Sequence, residues 1–244
     1  MAEPANRRPI KSREAGWAHW LATRLADADL RPDLISGVSI AFALLGAALL
    51  LAAGVTEPAG VRAVLLVGAA AMIQLRLVCN LLDGMVAMEH GRSSPAGALW
   101  NELPDRFSDV ALLAAAGYSA GAGGLMFAVE IGWICACLAL LTAYLRELGR
   151  GLGFAADFSG PMAKPQRMAA LTIACVISAL EPLWGWRGHT LLIALVIIAI
   201  GTAITAARRT RTLARRLAER DAAVVPSPLA GEGGPRSGSD EGAR

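Results

Sequence analysis

The chain has 244 residues, 55% of them hydrophobic and 18% charged, and a mean hydropathy of +0.49. This composition is too apolar for an ordinary soluble domain of this length and predicts a single membrane domain. The formal net charge of +3 is small and sits at the chain ends and in a few loops, so nucleic acid is not an expected partner. The four cysteines lie in or beside apolar runs, so neither a disulfide framework nor a zinc site is predicted.

Residues 1–33 predict a cytoplasmic arm followed by a juxtamembrane helix. The segment from Met1 to Arg13 is polar and basic and has too few apolar side chains to form a core. From Ala15 to Leu30, apolar residues recur at helical spacing with charged residues between them. We expect an amphipathic helix in the membrane interface or, as the alternative, a soluble helix packed on the cytoplasmic face.

Six apolar runs follow, each long enough to cross a hydrocarbon core, which takes roughly 20 helical residues. They predict an all-α, polytopic membrane domain over residues 34–207. The first run begins behind a polar segment without a small-residue cleavage site, so we expect it to remain as a span. The predicted spans are 34–54, 61–82, 98–119, 125–145, 168–184 and 190–207.

Positive charge falls mostly on one side of these spans. Only Arg62 and Arg187 lie near the connections after the first, third and fifth spans, whereas basic residues are frequent at both chain ends and between the fourth and fifth spans. By the positive-inside rule both termini are cytoplasmic, and the bacterial inner (plasma) membrane is the expected location. Residues 208–244 begin as a basic segment and continue, from Val225, as a Gly-, Pro- and Ser-rich stretch that predicts a disordered tail.

Polar residues occupy one face of the second span and one face of the third. Ionisable side chains at membrane depth are costly and usually face a water-filled cavity or one another. Spacings of three or four residues keep each set on one helix face. Carboxylate and amide oxygens suit a hard cation such as magnesium, manganese or calcium, whereas helix capping, the alternative, does not explain four positions along one face. The residues are Asn80 and Asp83 at the end of the second span and Gly97, Asn101, Asp105 and Asp109 at the start of the third.

This region resembles the CDP-alcohol phosphotransferase family. That family carries the motif D-x-x-D-G-x-x-A-R, then eight residues, then G-x-x-x-D-x-x-x-D. Here the segment from Asn80 to Met88 is followed, after eight residues, by Gly97, Asn101 and Asp105, so every interval is kept. Sliding the alignment by one helical turn would instead make Asp105 and Asp109 the last pair, but it loses Gly97.

The resemblance implies an enzyme that transfers a CDP-activated group, most often phosphatidyl from CDP-diacylglycerol, to an alcohol acceptor and releases CMP in phospholipid synthesis. Its cofactor would be Mg²⁺ or Mn²⁺, and Asp105 would be the general base. The metal ligands that the resemblance implies are Asp83, Asn80, Asn101 and Asp105, with Asp109 as a substitute ligand. The residues implied for the nucleotide are Asp83, Gly84, Ala87 and Gly97.

Three positions depart from the family pattern. Asn80 and Asn101 stand where the family has its first and third aspartates, and Met88 stands where it has arginine. Because asparagine supplies an oxygen without a charge, the changes at positions 80 and 101 should weaken divalent binding. The alternative to an active enzyme is a non-catalytic descendant that serves as a lipid-binding or assembly subunit. A transporter is disfavoured, since the polar residues lie toward one face of the membrane and not at its centre.

Basic residues around the start of the fifth span form a second polar group. In family members that accept a phosphorylated alcohol, an arginine near the end of the fourth helix and a basic pair entering the fifth form a phosphate pocket, which Arg146, Lys164 and Arg167 would match. Lys164 and Arg167 are three apart and could donate to phosphate from one helix face. The alternative is plain positive-inside topology or binding of anionic lipid headgroups. Membrane lipid is an expected partner, and a homodimer is left open.

Overall fold

A computed structural model describes residues 15–89 and 97–224, except for the side chains at 88, 89, 98, 101, 223 and 224. These residues form seven α-helices and one short 3₁₀ helix, without a strand, so the all-α fold class is confirmed. The predicted arm, Met1 to Arg13, and the predicted tail, Val225 to Arg244, lie outside the described residues. The helices are α1 (Gly16–Asp27), α2 (Pro32–Val55), α3 (Ala59–Glu89), α4 (Gly97–Gly121), α5 (Ala128–Gly151), α6 (Lys164–Ser178) and α7 (His189–Val224), and the 3₁₀ helix is Glu181–Trp184.

Four helices in the described part of the chain are long and apolar enough to cross a bilayer: α2, most of α3, α5 and α7. The 25-residue helix α4 falls outside this group because four charged residues lie between Glu102 and Asp109. The helix α6 falls outside it because it has only 15 residues. Four spanning helices are therefore assigned by length and hydropathy, and the count of six stays a prediction.

The fifth predicted span has different bounds in the structure. The apolar run predicts one span over 168–184, but α6 begins at Lys164 and ends at Ser178, and the 3₁₀ helix follows. Pro182 cannot donate a backbone hydrogen bond, which disfavours continuation of the α-helix. The Glu181 carboxylate accepts the backbone N–H groups of Gly188 and Thr190, both at 2.6 Å. The chain therefore turns at Glu181 into the start of α7.

The helices pack around a core made mainly of alanine and leucine. The helix α2 packs against α3 and α4, α4 packs against α5, α5 packs against α7, and α6 contacts both α3 and α7. The crossing of α4 and α5 is especially close: a Cβ added to Gly132 would lie 2.9 Å from the Gly117 Cα atom. Small residues at a crossing allow membrane helices to approach backbone to backbone. This contact brings α5 and its neighbours close to α4, which carries the polar face.

The short helix α1 lies against the C-terminal end of α3. Its buried stripe consists of Ala18, Ala22 and Ala26, four residues apart, which pack with a group of α3 residues that includes Met85. The larger apolar residues Trp17 and Trp20 point outward and are exposed. A helix is therefore present in the predicted segment, and its assignment as an amphipathic helix of the membrane interface stays a prediction.

A buried ion pair closes the bundle at the end opposite the polar faces. Arg62, near the start of α3, pairs with Glu181 at 3.0 Å and donates to the Ser178 carbonyl and hydroxyl at 3.1 Å. Both charged side chains are buried. From the sequence, Arg62 was only a positive charge near a short connection. In the fold its hydrogen bonds to Ser178 connect α3 to the end of α6.

The α5–α6 connection, residues 152–163, is held against α7 by arginines. Arg209 Nε donates to the Ser159 carbonyl at 3.0 Å, and Arg220 donates to the Leu152 carbonyl at 3.0 Å. Burial raises the pKa of Asp157 in this loop, but hydrogen bonds from Ser159 and the nearby guanidinium groups outweigh it, so the pKa lies below its ordinary value. Basic residues that the sequence suggested were topology signals therefore also fix the loop that leads into α6.

Large apolar side chains are exposed over the outside of the bundle. Val55, Val64 and Leu183 are at least 71% exposed. In the most apolar 18-residue stretch of each candidate span, only 39% is buried inside the protein. Such a surface is unfavourable in water and suited to lipid. The chain is an integral membrane protein.

Candidate active site

Two hydrogen bonds between polar side chains join α2 to the polar face of α3. Ser36 Oγ donates to Asp83 Oδ2, and Ser39 Oγ donates to Asn80 Oδ1, both at 2.7 Å. The two serines are three residues apart on α2, as Asn80 and Asp83 are on α3, so the pairs match turn for turn. These bonds restrict the rotamers of both predicted metal ligands on α3.

Asp105 is the side chain at which α3, α4 and α6 meet. Its Oδ1 atom accepts a hydrogen bond from Asn80 Nδ2 and pairs with Lys164 Nζ. Arg76 Nη2 lies 3.4 Å from the same oxygen and 3.3 Å from the Asp105 carbonyl oxygen. The Oδ2 atom lies 3.7 Å from Arg106. The contacts therefore concentrate on Oδ1 and leave Oδ2 less engaged.

Asp109, one turn further along α4, is buried between two arginines. Arg76 Nη2 donates to Asp109 Oδ1 at 2.9 Å, and Arg167 Nη2 donates to Asp109 Oδ2 at 3.0 Å. Arg167 Nη1 also donates to Thr142 Oγ1 and to the Met162 carbonyl at 3.3 and 3.2 Å. Both carboxylate oxygens of Asp109 are thus bound by guanidinium groups.

A partly exposed charge cluster lies beside the buried one. Glu102 of α4 pairs with Arg146 and lies 3.5 Å from Arg106. Arg146 also pairs with Glu147 at 2.9 Å, and its guanidinium lies 5.7 Å from the Phe158 ring centroid. These contacts bring the predicted phosphate residue Arg146 to the edge of the site that contains Lys164.

Four buried polar atoms of charged side chains in this region have no hydrogen-bond partner. They are Asp83 Oδ1, Arg76 Nε, Arg76 Nη1 and Arg167 Nε. Native proteins leave few buried polar atoms unpaired, so each calls for an explanation, often a bound ion, water or ligand. Here one is a carboxylate oxygen and the other three are guanidinium nitrogens.

The polar residues near the C-terminal end of α3 and on the facing part of α4 fit a divalent cation. Among the described residues, no three His, Cys, Asp or Glu side chains are grouped closely enough to hold a metal ion. Asparagine can also supply an oxygen ligand, and Asn80 links Asp105 to the α3 face. The unpartnered Asp83 Oδ1 atom is an oxygen ligand of the type that Mg²⁺ and Mn²⁺ prefer. Asp83, Asn80 and Asp105 together therefore suit a hard cation with few charged ligands.

Some predicted site residues fall at the edge of the described structure. The side chain of Asn101 lies outside it, as does that of Met88. Gly84 and Ala87 lie in the last turns of α3, and Gly97 is the first residue of α4, but residues 90–96 between them are outside the described part. The nucleotide role of these residues stays a prediction.

Several residues that shape the site have no role that was predicted from sequence. Ser36 and Ser39 were missed because single serines in an apolar helix are common, although their spacing of three matches that of Asn80 and Asp83. Arg76 carried a usable signal, since it lies four residues before Asn80 on the same face of an apolar span. Thr142, the partner of Arg167, carried none.

No family model matches the chain, but individual proteins do. It is 29% identical over 157 residues to a phosphatidylinositol phosphate synthase of Streptomyces avermitilis, a match that covers 63% of this chain and 64% of the relative. The chain thus spans slightly less than two thirds of that relative. It is 24% identical over 231 residues to the phosphatidylinositol phosphate synthase of Mycobacterium marinum, covering 89% of both chains.

Solved structures share the fold. The crystal structure of Mycobacterium tuberculosis phosphatidylinositol phosphate synthase with CDP-diacylglycerol bound superposes with a TM-score of 0.67 and 21% identity, covering 82% of this chain and 94% of that one. The same enzyme in complex with manganese and citrate gives a TM-score of 0.66, with 21% identity over 80% and 88% of the two chains.

Fold and site together define a helical membrane protein with a polar, cation-rich site buried between α3, α4 and α6. The motif spacing on α3 and α4 resembles that of the CDP-alcohol phosphotransferases, and along the bundle the chain is similar to phosphatidylinositol phosphate synthases.

Proposed function

We propose that this protein transfers phosphatidyl from CDP-diacylglycerol to an alcohol acceptor and releases CMP. One observation carries the proposal: Asn80 and Asp105 are hydrogen-bonded across α3 and α4 beside the buried, unpartnered Asp83 Oδ1 atom. This arrangement supports the proposal because the residues at three motif positions, which would bind the metal and accept the proton, lie together although two motif positions have asparagine in place of aspartate. The named activity of the relatives supports the same reaction.

In the proposed reaction Asp105 accepts the proton of the acceptor hydroxyl. The hydroxyl oxygen then bonds to the phosphorus that carries diacylglycerol, and the bond from that phosphorus to the CMP oxygen breaks. Asp105 Oδ2 is the better placed proton acceptor, since Oδ1 is engaged by Asn80 and Lys164. General-base catalysis of this kind typically contributes about 10²- to 10⁴-fold in rate.

A divalent ion, Mg²⁺ or Mn²⁺, is proposed at Asp83, Asn80 and Asp105, with Asn101 in reach by its spacing. When bound, it would neutralise charge on the diphosphate as CMP departs. Manganese in the structure of the mycobacterial synthase supports this cofactor. Gly84, Ala87 and Gly97 are proposed to leave room for the cytidine nucleotide at the ends of α3 and α4.

The acceptor is proposed to carry a phosphate. Arg146 and Lys164 are partly exposed at the edge of the site and would bind it by exchanging their present carboxylate partners. Arg167 is buried and fixed by Asp109, Thr142 and Met162, so it would shape the pocket wall from behind. The products named for both relatives, phosphatidylinositol phosphates, support a phosphorylated acceptor.

We also propose six membrane spans, with α4 and α6 as the two additional ones, and both termini in the cytoplasm of a bacterial inner membrane. The apolar exterior and the excess of basic residues at one end of the bundle support this orientation. In that orientation α1, with Trp17 and Trp20 outward, would lie in the membrane interface. A homodimer in membrane lipid is proposed as the working assembly.

The function is tested by CMP release from CDP-diacylglycerol by the purified protein with Mn²⁺ or Mg²⁺, across free and phosphorylated alcohols. We expect CMP release that depends on a phosphorylated acceptor and falls at least about 100-fold in Asp105→Asn. The control Glu130→Ala removes an exposed carboxylate at the far end of the bundle and should leave the rate unchanged. Absence of CMP release with every acceptor, while phospholipid still binds, would indicate the non-catalytic lipid-binding subunit instead.

A further inference from the structure

Arg76 is a fully buried arginine whose guanidinium is only partly used. All of its hydrogen bonds within the protein come from Nη2, which contacts Asp105 and Asp109. Its Nε and Nη1 atoms are buried without a partner. A charged group left partly unsatisfied in a low-dielectric interior is unfavourable, so a structural role alone would leave these two donors unexplained.

The carboxylates around Arg76 are already paired with cations before any ligand binds. Asp83, Asp105 and Asp109 provide three carboxylates, and four cations contact the last two of them. Those cations are Arg76, Lys164, Arg167 and Arg106. The neighbouring Arg106 and Arg146 are matched by Glu102 and Glu147. A site with asparagine at 80 and 101 therefore has little negative charge left over to attract several metal ions.

The position of Arg76 relative to the reacting groups is fixed from two sides. Asp109 binds Arg76 with one oxygen and Arg167 with the other, and Arg167 is itself held by Thr142 and the Met162 carbonyl. This chain of contacts places the guanidinium within 3.4 Å of the Asp105 carboxylate. Whatever anion sits beside Asp105 is therefore close to Arg76.

We propose that Arg76 is a substrate-binding residue, whose Nε and Nη1 donate to the diphosphate of the CDP-alcohol. The guanidinium thereby supplies part of the positive charge that binds the diphosphate, and the protein binds CDP even without a divalent ion. Guanidinium is well suited to this role because it is permanently charged and presents donors in a fixed fork. The proposal rests on the proposed function, since it takes the CDP-alcohol as the ligand.

The test measures CDP binding by isothermal titration calorimetry on the detergent-purified full chain in EDTA. The unmodified protein is expected to bind CDP under these conditions, and Mn²⁺ is expected to tighten the binding. Arg76→Met, which keeps the apolar stem and removes the donors, should weaken metal-free binding by roughly 10- to 100-fold, as expected for lost charge-assisted hydrogen bonds.

Arg62→Met is the matched control. It removes an equally buried, ion-paired arginine from the same helix, fourteen residues before Arg76, which is roughly 21 Å along the helix axis. It should lower thermal stability without changing CDP affinity. If Arg76→Met does not fold, CDP affinity is measured for Arg76→Lys instead. Lysine keeps a cation beside Asp109 but lacks the several N–H donors in fixed positions that a guanidinium group presents.

The outcomes separate this proposal from the proposed function. A lack of CDP binding by the unmodified protein in EDTA, or full affinity in Arg76→Met or Arg76→Lys, would overturn the role of Arg76. CMP release with Mn²⁺ by the same preparation would then still support the transferase. If CDP fails to bind with or without Mn²⁺ and no CMP is released, the transferase itself is wrong.

Discussion

At the scale of single residues, the structure explains how asparagine is accommodated at position 80. Its amide accepts from Ser39 and donates to Asp105, so it serves both neighbours at once. Aspartate could accept from Ser39 but could not donate to Asp105, and two carboxylates in contact repel each other. Asparagine at position 80 therefore makes a hydrogen bond across α3 and α4 where aspartate would make a repulsive contact, and it leaves the proposed cation site with one charge fewer.

Asp83 is expected to be the main charged ligand of the divalent ion. Asp83→Ala removes the unpartnered buried oxygen, so Mn²⁺ binding to the purified protein should be lost both with and without CDP. Electron paramagnetic resonance of free Mn²⁺ measures this directly. Glu130→Ala should bind Mn²⁺ like the unmodified protein, and unchanged binding in Asp83→Ala would move the ion to another site.

Aspartate at positions 80 and 101 should lower the stability of the metal-free protein and raise its affinity for the divalent ion. In Asn80→Asp with Asn101→Asp, added negative charge should tighten Mn²⁺ binding by roughly tenfold or more. Repulsion between residues 80 and 105 should lower the Tm in EDTA, while the Mn²⁺-induced rise in Tm becomes larger. Adding Asp83→Ala to the double variant should remove that rise. An equal Tm shift in the double variant and the unmodified protein would contradict the assigned ligands.

At the scale of helices, the close contact between α4 and α5 depends on two glycines. A Cβ on Gly117 would lie 2.7 Å from the Ala128 carbonyl oxygen, and one on Gly132 would lie 2.9 Å from the Leu113 carbonyl oxygen. The obstacles are backbone atoms, which cannot rotate away as side chains do. The crossing also fixes where α4 lies relative to α5, and so where Asp109 meets Arg167.

Gly132→Val should therefore destabilise the bundle. Overpacking of this kind costs about 1–3 kcal/mol, and the helices must separate to accept the branched side chain. Gly37→Ala on α2 is the matched control, because a Cβ there meets nothing within 4 Å and alanine favours the helix. Thermal unfolding in detergent should give a lower Tm for Gly132→Val only; equal Tm values would argue against the tight crossing.

Sequence reasoning succeeded for features that depend on local spacing. The helical faces containing Asn80 and Asp83, and Asp105 and Asp109, follow from intervals of three and four residues. It failed where the partner is distant: Arg62 and Glu181 are 119 positions apart, and no local pattern joins them. The roles of Asp105 and Asp109 also could not be separated, because one helical turn leaves both on the same face. Only the packing of α3 and α6 against α4 shows that both carboxylate oxygens of Asp109 are bound by guanidinium groups.

At the scale of the whole molecule, polarity is divided between the two ends of the bundle. The end containing Asp83, Asp105 and Lys164 is rich in charge and continues into the basic part of α7. The opposite end is closed by Arg62 and Glu181, with Arg187 bonded to the Gly54 and Thr56 carbonyls. Such an arrangement suits a site open to one compartment.

The proposed topology can be checked by reporter fusions. A reporter after Arg216 should be cytoplasmic, and one inserted within residues 120–124 should be on the other side of the membrane. The reason is that three of the six proposed spans separate these two positions. Paired alkaline phosphatase and green fluorescent protein fusions give opposite signals for the two compartments. The same compartment for both positions would refute six spans with cytoplasmic termini.

The buried pair of Arg62 and Glu181 also has a consequence for biosynthesis. Glu181 is translated 119 residues after Arg62, which at about 5–20 residues per second takes roughly 6–24 s. During that interval α3 must enter the membrane with an arginine whose partner does not yet exist, and an unpaired arginine in a hydrophobic helix is unfavourable there. The nascent α3 is therefore expected to remain near the translocon or its chaperones until the end of α6 emerges, so that this protein matures late and as a unit.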